Sequence, residues 1–196
     1  MPKEIKMSEE RDYSIITPEI ERYAEQCKSG SAIVPELYTK YCVNRGLRDM
    51  NGNGVLTGLT EISEIQSKKV VNGEEVPCRG RLFYRGYDIE ELVAGFSADK
   101  RFGFEEITYL LLFGSLPTSD QLKEFCSVLA DYRSLPTSFT RDLIMKAPSA
   151  DMMNSMARSV LAMYSYDRNP DDTSIPNVLR QCLQLISVFP MLAVYG

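Results

Sequence analysis

The sequence predicts a mainly α-helical domain with one small β excursion, a hairpin near residues 55–87. Three observations carry that expectation. Apolar residues recur at three- and four-residue intervals through most of the chain, the period of a helix with one buried face. Ser, Thr or Asp stands ahead of several of these runs and Gly or Pro behind others, as helix starts and stops require. In the middle the period shifts, and Val70-Val71-Asn72-Gly73-Glu74-Glu75-Val76 sets Asn-Gly between two extended runs. That pair tolerates the positive φ of a type I′ turn.

Thr17 with Pro18 behind it is an N-cap and a first-turn proline. The helix they open presents Ile20, Tyr23, Ala24 and Cys27 and stops at Ser29-Gly30. Pro35 opens a second helix carrying Leu37, Tyr38, Tyr41 and Cys42 and ending at Gly46. A polar loop, Asp49 to Gly54, leads into the hairpin, and Leu82-Phe83-Tyr84 between Gly80 and Gly86 reads as a further short strand. Asp88 and Glu91 form a capping box ahead of Ile89, Leu92 and Val93. Phe104 to Phe113 is a buried helix closed by Gly114. Thr118 and Gln121 make a second capping box, followed by Leu122, Phe125, Cys126 and Leu129.

Phe139, Leu143 and Ile144 mark a short helix that ends before Pro148. Met152, Met156, Val160 and Met163 stripe the next one. Ser174 caps the last helix, whose stripe is Val178, Cys182, Leu185 and Phe189 and which Pro190 kinks or ends. No repeat, low-complexity tract or linker interrupts the pattern, so the expectation is one domain with residues 1–17 as a flexible arm.

With 196 residues, 44% of them apolar and 25% charged, the chain can bury a real core. A formal charge of −5 argues against a nucleic-acid surface, which needs clustered Lys and Arg. The sequence contains no His, which removes the commonest general base, the Ser-His and Cys-His nucleophile pairs and the commonest zinc ligand. Cys27, Cys42, Cys78, Cys126 and Cys182 are far apart and never form a Cys-x-x-Cys pair. Reduced thiols in a cytoplasmic protein are expected, with neither a disulfide framework nor a metal site. The first ten residues lack the apolar core of a signal peptide, and no window is expected to reach the ~18 apolar residues of a membrane-spanning helix.

Several segments invite a functional reading. Asp49-x-Asn51-x-Asn53-Gly54 resembles the first half of a calcium loop, but position twelve is Thr60 and Glu61 comes one residue late. A Gly/Asn-rich turn is the better account. Gly80 to Gly86 mixes glycines with Arg81 and Arg85, yet lacks any phosphate-loop spacing and reads as a strand between tight turns. The Met152, Met156 and Met163 stripe is expected to be core. Glu90-Glu91 and Glu105-Glu106 sit in first helical turns, where carboxylates complement the helix dipole and adjacent side chains diverge.

The ordered string goes further. Gly58-Leu59-Thr60-Glu61-Ile62-Ser63-Glu64-Ile65, then Gly80-Arg81-Leu82-Phe83-Tyr84-Arg85-Gly86-Tyr87-Asp88-Ile89-Glu90-Glu91-Leu92, resembles the opening of the citrate synthase family. So do Phe104 to Gly114, Leu116-Pro117-Thr118, Arg158 to Ala162, Tyr166-Asp167, Leu185-Ile186 and Phe189-Pro190. The likeness covers roughly residues 40 to 196, and the order and spacing of the motifs make it specific.

The resemblance implies the multi-helical large domain of a citrate synthase-like fold and a homodimer. It implies an enzyme that condenses acetyl-CoA with oxaloacetate, or propionyl-CoA in relatives that make 2-methylcitrate, with the CoA thioester as substrate and no cofactor. An aspartate would take the methyl proton, one histidine would stabilise the enolate and a second would polarise the ketone. In the family these groups follow the matched region, so no catalytic residue is expected in this chain. The run Phe189 to Gly196 is nearly all apolar and uncharged, and with the missing catalytic half it suggests an amino-terminal portion that is inactive alone. A short non-catalytic paralogue acting as an interaction module is the alternative. Arg48, in Gly46-Leu47-Arg48, matches an arginine that in some members reaches a CoA phosphate, although the loop after it is longer here. Ala150-Asp151-Met152-Met153 stands where many relatives carry His-Pro-Met, which leaves any role of that histidine without a carrier. Neither nucleic acid nor membrane is expected as a partner.

Overall fold

The computed structural model describes residues 14–43, 55 and 58–196. Arg48 and the Asp49 to Gly54 loop lie outside the described residues. The chain divides into two compact units, Glu25–Lys123 and Met1–Ala24 with Glu124–Gly196. Among the described residues there are α1 (Pro18–Gly30), α2 (Glu36–Lys40), β1 (Ser63–Val71), β2 (Glu74–Tyr84) and β3 (Tyr87–Asp88). These are followed by α3 (Ile89–Ala98), α4 (Phe104–Phe113), α5 (Ser119–Tyr132), a π-helical turn (Thr140–Met145), α6 (Met152–Tyr164) and α7 (Ile175–Tyr195). The mainly α class with a small hairpin is therefore observed.

In the unit Glu25–Lys123 the three strands form one antiparallel sheet in the order β1-β2-β3. Asn72 and Gly73 turn the hairpin at φ 54° and 85°, both in the left-handed region that a type I′ turn requires. The hairpin is longer than the sequence suggested: Leu82-Phe83-Tyr84 is the end of β2, continuous from Glu74. Pro77 cannot donate to a ladder. It sits opposite Lys68, beside the register irregularity between Gln66 and Lys68, where the ladder is already interrupted. Arg85 and Gly86, at φ 50° and 85°, make the second tight turn and lead into β3.

Replacing Gly73 by Ala is expected to lower stability by about 1–2 kcal/mol through backbone strain alone. A Cβ there meets nothing within 4 Å, so no clash contributes. A urea midpoint equal to that of the parent protein would contradict this.

The second helix ends earlier than expected, at Lys40 rather than Gly46. Cys42 takes φ 51°, its N–H donates to the Thr39 carbonyl and the Val43 N–H to the Tyr38 carbonyl. That pair of bonds is a Schellman closure, with cysteine where glycine is usual, and α2 buries none of its residues. Asp88 caps α3 as expected, but through the amide of Glu90 at 2.8 Å. Gly114, at φ 83°, closes α4. The Thr118–Gln121 box is reciprocal, with the Thr118 N–H donating to Gln121 Oε1 at 2.8 Å and the Gln121 N–H to Thr118 Oγ1 at 3.3 Å.

In the other unit, Tyr23 stands edge-on to Phe125, ring centroids 5.9 Å apart, and both are buried with Ile20 and Leu129. A second cluster joins Phe139, Ile144, Met163, Val188 and Leu192. α6 turns Ser155, Ser159 and Met163 inward, so the methionine stripe is core only in part: Met152 is exposed. The expected face of α7 is also displaced. Val178 and Phe189 are exposed, whereas Leu179, Leu183, Val188 and Leu192 are buried. Pro190 neither ends this helix nor keeps it from Tyr195. The lost N–H bond costs about 3 kcal/mol, and burial of Val188 and Leu192 on either side offsets it. Ser174 stands at the N-cap without a side-chain cap bond, because its hydroxyl donates to Asp172.

Contrary to expectation, α7 is long and apolar enough to cross a membrane by length and composition, with 21 residues and a mean hydropathy of 1.4. Only 33% of its apolar stretch is buried, and Ile175, Val178, Phe189 and Val194 along the helix are exposed.

Candidate functional site

The chemistry-bearing residues fall into two groups, one in each unit, and both are held by internal hydrogen bonds. The first gathers around the hairpin base. Arg81 donates from Nε at 2.9 Å and from Nη2 at 2.5 Å to Asp88, and its guanidinium lies 4.7 Å from the Phe83 ring centroid. Asp88 therefore serves α3 and Arg81 at once. The Glu90 amide, and then Arg81, hold its carboxyl below the usual range.

Arg85 donates from Nη1 to the Gly30 carbonyl at 3.0 Å and from Nη2 to the Leu111 carbonyl at 2.9 Å. Those carbonyls belong to the last turns of α1 and α4, where unpaired acceptors and the negative dipole end favour a cation. The glycine-arginine segment is a strand end followed by one tight turn: Gly80, expected at a turn, lies inside β2, Arg81 pairs with Asp88 while half exposed, and Arg85 reaches the two helix ends. The acidic pairs are similarly occupied: Glu90 bonds Arg79 at 2.5 Å, and Glu106 pairs with Arg101. None forms an acid/base pair with its neighbour in sequence.

The second group was not found by sequence reasoning. Arg180 on α7 is completely buried and donates to Asp167 at 2.6 Å and to Asn177 at 2.8 and 3.0 Å. Gln181 donates to Asp167 at 3.0 Å, and Asn177 returns two bonds to the Asn169 and Asp172 carbonyls. The network ties the 167–174 turn to the start of α7. An Arg three residues after an Asn on an apolar helix was its only visible trace.

Burial acts to raise the Asp167 pKa, but Arg180, the Asn169 amide and Gln181 outweigh it and keep the carboxyl below its usual range. A depressed carboxyl stabilises the fold above its unfolded pKa of about 3.9 and loses that contribution as pH falls through the folded value. The denaturation midpoint should accordingly drop below about pH 4, and less steeply in Asp167→Asn. Parallel pH profiles for the two proteins would refute the assignment.

Asp151 is a further role the sequence reading missed. It caps α6, accepting from Met153 at 2.9 Å and from Asn154 at 3.3 Å, in the segment that departs from His-Pro-Met. None of the five cysteines is in a disulfide. Among the described residues no group of three or more His, Cys, Asp or Glu could hold a metal ion.

Comparison with known proteins gives the class of this fold. Residues 49–196 match the family model described as citrate synthase, C-terminal domain. The crystal structure of citrate synthase from Pyrobaculum aerophilum superposes with a TM-score of 0.57 at 26% identity, covering 76% of this chain and 37% of that one. The chain belongs to the citrate synthase family. Among its relatives, 2-methylcitrate synthase 1 of Corynebacterium glutamicum is 32% identical over 71% of this chain and 32% of its own length. Citrate synthase of the same organism is 34% identical over 60% of this chain and 26% of its own length. The chain thus spans about a quarter to a third of the length of these two relatives.

Proposed function

We propose that this chain supplies helical scaffold to a citrate synthase-type acyltransferase and is inactive by itself. The observation that carries the reading is the family match over residues 49–196, on a structure whose Arg and Asp side chains cap and tie helix ends. The assembled enzyme condenses acetyl-CoA with oxaloacetate. A carboxylate removes a proton from the acetyl methyl, the enolate carbon attacks the ketone, and hydrolysis of the thioester releases citrate and CoA. The sequence has no His, so in this reading the histidines of that chemistry lie outside this chain. No cofactor is required, because the CoA thioester is a substrate. Its place would be the condensation that opens the tricarboxylic acid cycle.

The reading includes a homodimer, supported by the outer face of α6. Met153 and Leu161 are each 74% exposed and Tyr164 is 53% exposed. They form a helical stripe with Ala157, which is also exposed. A contiguous apolar stripe of this kind marks a protein–protein surface. Five cysteines outside any disulfide support a reducing, cytoplasmic location. The 2-methylcitrate synthases among the relatives favour one second reading, with propionyl-CoA as the acyl donor.

An antibody raised to this chain would test all of this. The native protein captured from its source cells should run well above 22.2 kDa and release CoA only with oxaloacetate present. A larger rate with propionyl-CoA than with acetyl-CoA would select the second reading. A captured band at 22.2 kDa with no CoA release would overturn both and leave a non-catalytic interaction module. CoA release by the purified 196-residue chain alone would overturn its proposed inactivity.

A further inference from the structure

We draw no further inference here: the strongest candidate, the open apolar cleft between the β1–β2 hairpin and the start of α3, lined by Ile65, Leu82 and Ile89 with Arg81, Asp88 and Glu90 around them, is an unpartnered surface, and nothing in the structure shows what covers it.

Discussion

Gly30→Ala is expected to destabilise the protein by roughly 3 kcal/mol, lowering the urea midpoint by about 1.5 M at a slope of ~2 kcal/mol/M. A Cβ on Gly30 would stand 2.4 Å from the Phe113 carbonyl oxygen and 3.1 Å from its carbon. Those atoms are backbone at the end of α4 and have little freedom to withdraw. Phe113 is buried, its ring lies 4.6 Å from that of Tyr109, and Gly114 behind it is fixed in the left-handed region. On the other side, the Gly30 carbonyl is held by Arg85. Strain therefore has to move a helix end or break the clamp.

Gly95→Ala is the matched control. It lies inside α3, a Cβ there meets nothing within 4 Å, and the change should stabilise by roughly 0.5–1 kcal/mol because alanine loses less backbone freedom on folding. Equal midpoints for the two variants would show that the α1–α4 approach is not rigid.

Arg180→Ala is expected to cost about 3–5 kcal/mol, the usual penalty for removing one partner of a buried ion pair. Loss of the guanidinium strands Asp167 with fewer donors and leaves the Asn177 carbonyl oxygen without the two bonds it now accepts. A folded domain has only about 5–15 kcal/mol to lose. Arg22→Ala offers the contrast. Arg22 also makes a 2.5 Å ion pair, with Glu124, but the two side chains are 55% and 44% exposed, and such a pair contributes about 0–1 kcal/mol. If the two variants unfold at the same urea concentration, burial is not what gives the Arg180 network its strength.

The helix starts and stops were the most legible part of the fold because each is a short-range event. Thr17, Asp88, Thr118 with Gln121, and Gly114 all act within a turn of where they stand, and the Asn72-Gly73 turn needs only its own two backbone conformations. Errors gathered where a distant partner decides. Cys42 is the exception: it ends α2 in a left-handed conformation closed by bonds within its own turn, to Thr39 and Tyr38, where glycine is the usual residue. Pro190 stays inside α7 because residues on either side of it are buried. The buried face of α7 was misplaced since apolar residues line most of its circumference, and a period cannot select a face when nearly every face qualifies.

The candidate site divides in the same way. That Arg81 and Arg85 do not form a phosphate loop followed from their spacing. That they grip Asp88 and two helix ends did not, because the Leu111 and Gly30 carbonyls lie 26 and 55 residues from Arg85. The sequence by itself determined the mainly α class, the hairpin turn and, through the order of its motifs, the family. It did so because propensity, capping and motif order are all properties of neighbouring residues. Only the tertiary structure decided which face of each helix is buried, which carbonyls an arginine reaches and that Arg180 is buried in the core, since each depends on residues that meet only after the chain has folded.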